Sequence, residues 1–386
     1  MNDDYDMVVR TLLSLQLPSG GFLAGRADDR FPYVYPRDCV FICNALLKAG
    51  YVKEVKKCYE YLLNIQDESG EWKQRYNPET NKPEVSRPGE TDNIGLVLHG
   101  LWQYVKQTND IDFANKCIPY ILAGRDYIES LTKNGLISSQ HSVYEHRGSE
   151  SGYEIWVNCW IYRGLRDASY LLEKTGGHKI TVTDLVTKAS ILQLNISSEF
   201  WDDKYGLFAK VIRPYERIVA FDISGLAPYW TKVITKDDPR THRIVTLLDA
   251  FLWDDDIGGH NRYRKWLNIK DWHWYDGGSG PFVYWTALMA RTLRELGYRA
   301  HADRAWNWVQ KTLREGMLPE HIATISEFNE WKSKESDYNV RIAAGVAKTK
   351  KWTYCWDSKH KVVCWVMPHG WSHAEYVMTY LDYRFL

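Results

Sequence analysis

The stretch VFICNALLKAGYVKEVKKCYEYLL, residues 40–63, contains the pattern that decides the fold. Apolar residues recur every three or four positions on both sides of Ala49-Gly50-Tyr51, which places them on one face of a helix. The glycine ends the first helix, and so short a turn makes the second helix run back along the first. The sequence therefore predicts two antiparallel helices packed side by side.

The same helical spacing returns along the whole chain and predicts about twelve helices, many of them paired through tight turns such as Leu296-Gly297-Tyr298. The first four contain Val8, Val40, Val55 and Ile94. The others cover about 111–133, 154–174, 182–202, 220–231, 240–252, 281–296, 299–314 and 371–383.

Long connections alternate with these short turns. If the helix pairs close into a ring, the long loops gather at one end, where loops of such length are usually functional. We therefore expect an all-α ring with a loop-built rim, together with a β-hairpin over 351–366. We expect residues 1–386 to form a single domain, because no low-complexity linker divides them. The long connections are 17–36, 67–89, 134–152, 203–219, 253–280 and 315–370.

The amino-acid composition excludes several classes of function. The 49 basic and 49 acidic residues balance, so no charge bias attracts nucleic acid or an acidic membrane. The 18 Trp and 26 Tyr supply rings that fill a core and also stack on sugar faces. Seven Cys show no zinc-ligand spacing, and the acidic N-terminus lacks the apolar run of a signal peptide. We expect a cytoplasmic protein with no metal, cofactor, nucleic-acid or membrane partner.

Two acidic residues lie where a loop meets helical sequence. Glu145 is in Tyr144-Glu145-His146-Arg147, and Glu320 is in Leu318-Pro319-Glu320. Two facing carboxyl groups, one protonated and one ionised, are the usual equipment for cleaving a glycosidic bond. A lone acidic loop residue is more often solvated surface, so the surrounding motifs decide between the two interpretations.

The segment Phe31-Pro32-Tyr33-Val34-Tyr35-Pro36-Arg37-Asp38 runs straight into a helix. Asp38 favours the positive end of the helix dipole and could simply cap the helix. The alternative is that Arg37 and Asp38 bind vicinal hydroxyl groups between the rings of Phe31, Tyr33 and Tyr35.

These motifs together resemble the conserved blocks of glycoside hydrolase family 15, the glucoamylases and their relatives. The resemblance spans nearly the whole chain in the order of the family. It rests on Gly20–Ala24, Tyr33–Asp38, Trp72–Tyr76, Glu90–Gly95, Tyr144–Arg147, Gly258–Tyr263 followed by Gly277–Pro281, Leu318–Ile322 and Gly370–Tyr376.

The resemblance implies an (α/α)6 barrel and an inverting hydrolase that releases β-glucose from the non-reducing end of an α-glucoside. It makes Glu145 the general acid and Glu320 the base, with roughly 6.5–9.5 Å between the carboxyl groups. It implies that terminal glucose is bound by Arg37, Asp38 and Arg262. The walls of the glucose-binding site are expected to be formed by Phe31, Tyr33, Tyr35, Tyr144, His146 and Trp371. Phe31 and Trp371 could equally belong to the core. His146 and His373 could equally have a structural role.

Several positions depart from the family pattern. Tyr144 replaces a Trp, His146 replaces a second Glu, and Phe282 replaces a Trp. The residues expected to bind the terminal glucose therefore match the family pattern, whereas those expected near the leaving group differ from it. The bond specificity stays open for that reason. The chain starts at the first predicted barrel helix, so we expect the β-sandwich domain of prokaryotic relatives to be absent. Short α-1,6- or α-1,4-linked oligosaccharides, including isomaltose and maltooligosaccharides, are the expected substrates.

Other functions were weighed. Asp254-Asp255-Asp256 lacks the DDxxD spacing of a terpene synthase, because Gly258 stands where the last Asp should be. A non-catalytic sugar-binding or regulatory relative would be expected to lose a carboxylate, and both are present. A trehalase or a transglucosidase of the same fold stays open, as does the oligomeric state.

Overall fold

The computed structural model describes residues 3–26, 31–84, 90–140, 142–143, 151–266, 280–334 and 352–385. Thirteen α-helices dominate this part of the chain, which confirms the all-α prediction. They are α1 Asp3–Ser14, α2 Pro36–Lys48, α3 Val52–Asn64, α4 Asp92–Thr108, α5 Ile111–Leu131, α6 Ile155–Thr175, α7 Lys179–Glu199, α8 Ala227–Trp230, α9 Pro239–Leu252, α10 Val283–Glu295, α11 Arg299–Thr312, α12 Ile325–Lys334 and α13 Gly370–Phe385.

Twelve of the helices form a ring of six pairs. The inner helices are α2, α4, α6, α8, α10 and α13, and the ring closes where α13 packs on α2. The short α8 is tied to α10 by a hydrogen bond of 2.9 Å from Trp230 Nε1 to Thr292 Oγ1. The outer helices α1, α3, α5, α7, α9 and α11 lie against this inner ring. The architecture is the predicted (α/α)6 barrel.

Inner and outer helices differ in how much of their surface is buried. The outer helix α7 buries one stripe, formed by Leu185, Ala189, Leu192 and Ile196. The inner helix α6 is buried on most sides, which only a ring of neighbours can provide. The inner helices α4 and α6 pack tightly at Gly95, where an added Cβ would lie 2.2 Å from the carbonyl oxygen of Trp160.

The N-terminal ends of the inner helices meet at one end of the barrel, which we call the rim. Arg37, at the start of α2, pairs with Asp92, at the start of α4. Trp156, at the start of α6, donates to the same Asp92 carboxylate. The rings of Trp285 in α10 and Trp371 in α13 lie 5.5 and 6.4 Å from the ring of Trp156. The C-terminal halves of these helices form the opposite end, the far end.

Short strands occur in the connections. The predicted hairpin is confirmed as β11 and β12, and β10 adds a third strand by pairing with β12. A five-stranded sheet has the order β1-β2-β3-β6-β7, while β4 pairs with β5 and β8 with β9. The strands are β1 Thr132–Lys133, β2 Leu136–Ser139, β3 Gly152–Glu154, β4 Trp201–Asp202, β5 Leu207–Phe208, β6 Val211–Arg213, β7 Glu216–Ile218, β8 Ala220–Asp222, β9 Tyr263–Trp266, β10 His321–Thr324, β11 Trp352–Cys355 and β12 Lys361–Trp365.

Two predicted segments differ from the structure. A helix was expected over 220–231, but the segment begins as β8, continues as a 3-10 turn over Ile223–Leu226 and becomes helical at Ala227. The Asp222 side chain accepts from the backbone N–H of Ser224 and starts that turn. The connection 315–370 was expected to be a loop with a hairpin, but it also contains α12. A reciprocal pair of hydrogen bonds between Thr324 and Glu327 caps α12.

None of the described helices combines the length and apolar composition needed to cross a membrane. All seven cysteines are free thiols, and six of them are buried.

Candidate active site

The helix α2 brings Arg37 and Asp38 to the rim. Pro36 occupies its first turn, where the missing N–H has no cost and the fixed φ angle suits a helix. Tyr35 is the N-cap residue, and no side-chain hydrogen bond caps the helix there. Both Arg37 and Asp38 are buried, at 4% and 5% exposure. Asp38 is therefore not the helix cap that the sequence also allowed.

Two carboxylates fix the Arg37 guanidinium. Its Nη1 lies 2.7 Å from Glu90 Oε2 and 3.0 Å from Asp92 Oδ2. Gln74 donates to Glu90 at 2.9 Å, and Trp156 donates to Asp92 at 2.8 Å. Both carboxylates are fully buried. Because each is held by a second donor, Arg37 is positioned before any ligand arrives.

Glu320 is placed by backbone hydrogen bonds at the junction of a sheet and a helix. Its N–H donates to the carbonyl of Trp365 at 2.9 Å, next to the β10–β12 pairing. Its carbonyl accepts from the N–H of Val283 at 2.9 Å, where α10 begins. The carboxylate Oε2 lies 3.5 Å from His321 Nδ1, and the residue keeps 8% exposure.

Sequence reasoning missed Tyr284, a buried tyrosine near the start of α10. Burial raises the pKa of Tyr284. Four charged groups also act on it, with Arg262 and Arg37 lowering its pKa and Glu320 and Asp38 raising it. The Tyr284 ring lies 5.5 Å from the His369 ring and 5.7 Å from the Phe282 ring, which places it at the rim. Its position in the first turn of α10, just after the Gly-Ser-Gly-Pro-Phe segment, was the available signal.

His369 is a second residue that sequence reasoning missed. Burial lowers the pKa of His369 to about 4, and Glu320 opposes the shift. Its Nε2 lies 3.8 Å from Asp38 Oδ1, and its Nδ1 lies 3.0 Å from Ser372 Oγ. At neutral pH this imidazole is uncharged, so it can act beside Asp38 as a hydrogen-bonding group without adding charge.

Arg262 reaches from the rim to the segment that precedes Tyr144. Its Nη2 donates to the carbonyl of Val143 at 2.7 Å, and its guanidinium lies 5.1 Å from the centre of the Phe282 ring. Its own carbonyl accepts from the N–H of Ile223. The predicted site residues Tyr144, Glu145 and His146 lie outside the described residues. Val143 precedes Glu145 by two positions in the sequence.

A buried polar cluster flanks that segment on both sides. Ser142 Oγ donates to Glu154 Oε2 at 2.9 Å, and Lys210 Nζ donates to Glu154 Oε1 at 2.8 Å. Lys210 also donates to Ser224 Oγ at 3.1 Å and lies 4.0 Å from Asp222 Oδ2. The side chains of the ion-paired residues are at most 2% exposed. The cluster joins the residues before and after the Glu145 segment to one buried ammonium group.

The predicted aromatic walls fall into two groups. Phe31, Tyr33 and Tyr35 lie together, with the Arg75 guanidinium 4.4 Å from the Tyr33 ring and Nη1 of Arg75 donating to the Tyr35 hydroxyl at 3.2 Å. Phe31 meets Tyr35 edge-on at 5.9 Å and remains partly exposed.

Trp371 occupies a different layer, because rings cover both of its faces. Phe41 stacks on it at 4.2 Å and Tyr284 at 4.3 Å. Its Nε1 donates to Glu375 at 3.3 Å. In this structure Trp371 therefore packs against the Tyr284 ring and helps to position it. Among the described residues, no group of three or more His, Cys, Asp or Glu side chains could hold a metal ion.

Similar proteins support the fold. No protein-family model matches the chain. An uncharacterized glycosyl hydrolase of Methanocaldococcus jannaschii is 25% identical over 339 residues, and the match covers 83% of this chain and 52% of that protein. The chain therefore spans about half the length of this curated relative.

Two solved structures share the architecture over nearly all of this chain. A glycosidase in complex with glucose is 14% identical with a TM-score of 0.73, covering 98% of this chain and 96% of that one. A bacterial glucoamylase complexed with acarbose is 15% identical with a TM-score of 0.72, covering 99% of this chain and 55% of that one. The chain therefore has the glucoamylase fold, and the resemblance predicted from its motifs is confirmed at the level of the fold.

Proposed function

We propose that this protein is an exo-acting glycoside hydrolase that releases glucose from the non-reducing end of short α-gluco-oligosaccharides, linked α-1,6 or α-1,4. The burial of Arg37, Asp38, Arg262 and Glu320 at the rim carries the proposal, with Asp38 Oδ1 3.8 Å from His369 Nε2 and the Tyr284 ring 5.5 Å from the same imidazole. These residues come from three separate motifs, since Arg37 and Asp38 are neighbours in one of them. The glycosyl hydrolase named among the relatives supports the same class of reaction.

In this proposal Arg37 and Asp38 bind the hydroxyl groups of the terminal glucose. The two carboxylates that hold Arg37 fix it in advance, so little side-chain entropy is lost when it donates to a ligand. Asp38 can accept from a hydroxyl, and the neutral His369 beside it adds no competing cation. A single hydroxyl would then meet a donor and an acceptor at fixed positions.

The proposed reaction is an inverting displacement. The Glu145 carboxylic acid donates its proton to the glycosidic oxygen as the bond from that oxygen to the anomeric carbon breaks. The Glu320 carboxylate takes a proton from a water molecule, whose oxygen attacks the anomeric carbon from the opposite face. The products are β-glucose and the shortened alcohol, with Glu145 ionised and Glu320 protonated. Exchange of one proton with solvent at each residue restores the starting state.

The hydrogen bond from Arg262 to Val143 supports a location of the Glu145 motif beside the Arg262 motif, since Val143 is two residues from Glu145 in sequence. Glu320 lies at the same rim through its backbone bonds to Trp365 and Val283. An acid and a base borne on separate loops can then flank one bond.

The test is a substrate panel of maltose, isomaltose, trehalose, kojibiose and nigerose, with the released anomer followed by polarimetry or proton NMR. We expect cleavage of at least one α-1,4 or α-1,6 substrate, with β-glucose as the first product. Preferred cleavage of trehalose would make the protein a trehalase, and new disaccharides would indicate transglucosylation. Binding of glucose without cleavage would favour a non-catalytic sugar-binding protein, while α-glucose as first product would reject inversion.

A further inference from the structure

The outer helix α7 has an apolar exposed face. Seven large apolar side chains are exposed in the described part of the chain, and four of them lie on this helix: Ile180, Val186, Ile191 and Leu194. Ile180 and Leu194 are 88% and 69% exposed. The outer helices α5 and α11 expose no large apolar side chain, as is usual for helices that turn one face to water. Apolar side chains grouped on one helix face are typical of an interaction surface.

The other uncharged residues exposed on α7 carry hydroxyl groups that need no polar partner. Thr183 and Thr187 donate to backbone carbonyls one turn back, at 3.0 and 2.8 Å. Ser190 and Ser198 do the same, at 2.8 and 3.0 Å. Because the helix itself satisfies these donors, an apolar surface can cover them at little cost. We call the four apolar and four hydroxyl-bearing side chains the α7 stripe.

Among the exposed residues of α7, charge occurs only at the two ends of the helix. Lys179 is its first residue and Glu199 its last. Neither forms an ion pair with another described residue. The half-buried Asp184 and Lys188 pair with each other beside the stripe, 2.8 Å apart. The α7 stripe therefore runs uncharged from a positive end to a negative end.

These two end charges oppose the dipole of their own helix. The N-terminal end of a helix is partly positive and favours anions, yet Lys179 stands there, and Glu199 stands at the partly negative C-terminal end. Both charges would be better placed beside a second copy of α7 that runs antiparallel. Lys179 would then meet Glu199 of the partner subunit and the negative end of that helix, and the reverse pair would form equally. The charge pattern of α7 is therefore complementary to itself.

The antiparallel register that pairs the end charges also matches side chains in size. With the first residue of one helix opposite the last residue of the other, Ile180 lies opposite Ser198 of the partner subunit. In the same register Ile191 lies opposite Thr187 of the partner subunit. A large side chain thus faces a smaller one at each of these positions, as interdigitation between packed helices requires.

We propose that the α7 stripe is the contact surface of a symmetric homodimer, in which a second copy of this chain packs its α7 antiparallel on the first. Two-fold symmetry makes every contact occur twice. A helix of 21 residues is about 31 Å long, so one helix pair buries less than the about 800 Å² per partner of a standard interface. The dimer is therefore weak and dissociates on dilution. None of the described candidate site residues lies on α7, so this proposal does not depend on the proposed function.

Sedimentation equilibrium over a concentration series at low salt measures the dimer. Lys179→Glu places like charges opposite each other at both ends of the interface and should weaken association roughly tenfold. Lys53→Glu makes the same charge change on the outer helix α3, at an exposed position, and is the matched control. Adding Glu199→Lys to Lys179→Glu exchanges the two end charges, so the antiparallel pairing is complementary again and association should recover.

The apolar part of the stripe is tested in the same way. Leu194→Ala removes a side chain that a symmetric dimer contributes twice, so association should weaken roughly tenfold. Met7→Ala shortens an exposed apolar side chain on α1 and should leave association unchanged. Circular dichroism confirms that each variant folds, which is expected because all these positions are on the surface.

We expect a reversible dimer of the wild type that weakens in Lys179→Glu and Leu194→Ala, is unchanged in both controls and recovers in the charge exchange. A wild type that stays monomeric up to about 0.5 mM would overturn the proposal, and so would a dimer that none of the α7 substitutions weakens. A dimer that the charge exchange fails to restore would reject the antiparallel register. Because these substitutions leave the rim unchanged, kcat of the same proteins reports separately on the proposed hydrolysis.

Discussion

The two ends of the barrel handle charge in opposite ways. At the rim, Asp38 and Asp92 lie in the first turns of inner helices, where the helix dipole favours anions. At the far end, Lys48 and Arg294 lie in last turns, where the dipole favours cations. The rim charges are almost completely buried, whereas the Lys48 side chain is 36% exposed.

This difference shows which end the fold is organised to support. A buried ion must be compensated by partners inside the protein, whereas solvent does much of that work for an exposed ion. At the rim each of two buried cations contacts two carboxylates, with Arg37 between Glu90 and Asp92 and Lys210 between Glu154 and Asp222. Substitutions at the rim should therefore have much larger effects than matched substitutions at the far end.

The largest effect is expected from Glu320→Gln. Loss of the proposed base should lower kcat by about 10²–10⁴-fold, while the melting temperature changes little because the amide keeps the shape of the side chain. Steady-state kinetics on the best substrate of the panel measures the loss. Glu295→Gln makes the same change at the far end, where Glu295 is 54% exposed, and should leave kcat unaltered.

An activated leaving group separates the two proposed catalytic residues. Glu145→Gln should retain much of its rate on a glucosyl fluoride, which needs little protonation, whereas Glu320→Gln should not. If Glu320→Gln keeps its full rate on both disaccharide and fluoride, Glu320 is not the base and the proposed mechanism fails.

The second effect concerns stability. Lys210→Met leaves the Glu154 carboxylate buried without its ammonium partner, which should cost about 3–5 kcal/mol. Urea unfolding followed by circular dichroism measures it. Lys232→Met is the matched control, because that side chain is 47% exposed and lies 3.7 Å from Glu295. Adding Glu154→Gln to Lys210→Met should recover part of the loss, since the stranded charge is gone. Equal losses for Lys210→Met and Lys232→Met would contradict the proposed difference between the ends.

The sequence predicted the barrel because its signal is local. Spacings of three and four residues and turns such as Ala49-Gly50-Tyr51 determine helix pairs, and six pairs close a ring. The strands β2 and β3 were missed because their pairing depends on residues far apart in sequence. The helix α12 could have been found, since Thr324 and Glu327 form the S/T-x-x-E capping signature.

The candidate site was less predictable, because local sequence patterns do not show which distant residues meet in the folded chain. Motif order singled out Arg37, Asp38, Arg262 and Glu320, but the resemblance and not their spacing supplied their roles. Tyr284 became visible only through its contacts with Trp371 and His369 in the folded chain. The position of Trp371 between the rings of Phe41 and Tyr284 likewise depends on helices that are distant in sequence.

The third effect depends on pH and also belongs to the rim. Burial lowers the pKa of His373 to about 4. Its neutral ring bridges the carbonyl of His369, at 2.7 Å from Nδ1, and the N–H of Leu318, at 3.3 Å from Nε2. The unfolded chain binds this proton near pH 6.5, so stability falls as the pH drops from about 6.5 to about 4. The full contribution is roughly 3 kcal/mol, at about 1.4 kcal/mol per pKa unit.

His373→Gln should therefore be less stable than the wild type at pH 7 but should lose less further stability between pH 6.5 and 4. Unfolding curves at half-unit pH steps give the two slopes. The far-end His242, which is exposed, is the control position, and His242→Gln should leave the wild-type slope intact. Parallel slopes for wild type and His373→Gln would show that this imidazole does not resist protonation in the folded protein.

The smallest effect is expected at the far-end pair of Lys48 and Asp382, whose side chains are 36% and 28% exposed. An ion pair this open to water usually contributes about 0–1 kcal/mol, and salt screens it further. Lys48→Met should therefore shift the free energy of unfolding by less than about 1 kcal/mol, and the shift should shrink when NaCl is raised from low to high concentration. The same salt series on Lys210→Met should change its loss little, because salt cannot reach a buried pair. A salt-insensitive loss for Lys48→Met as large as that for Lys210→Met would mean that far-end charges are integral to the fold, and that burial does not distinguish the two ends.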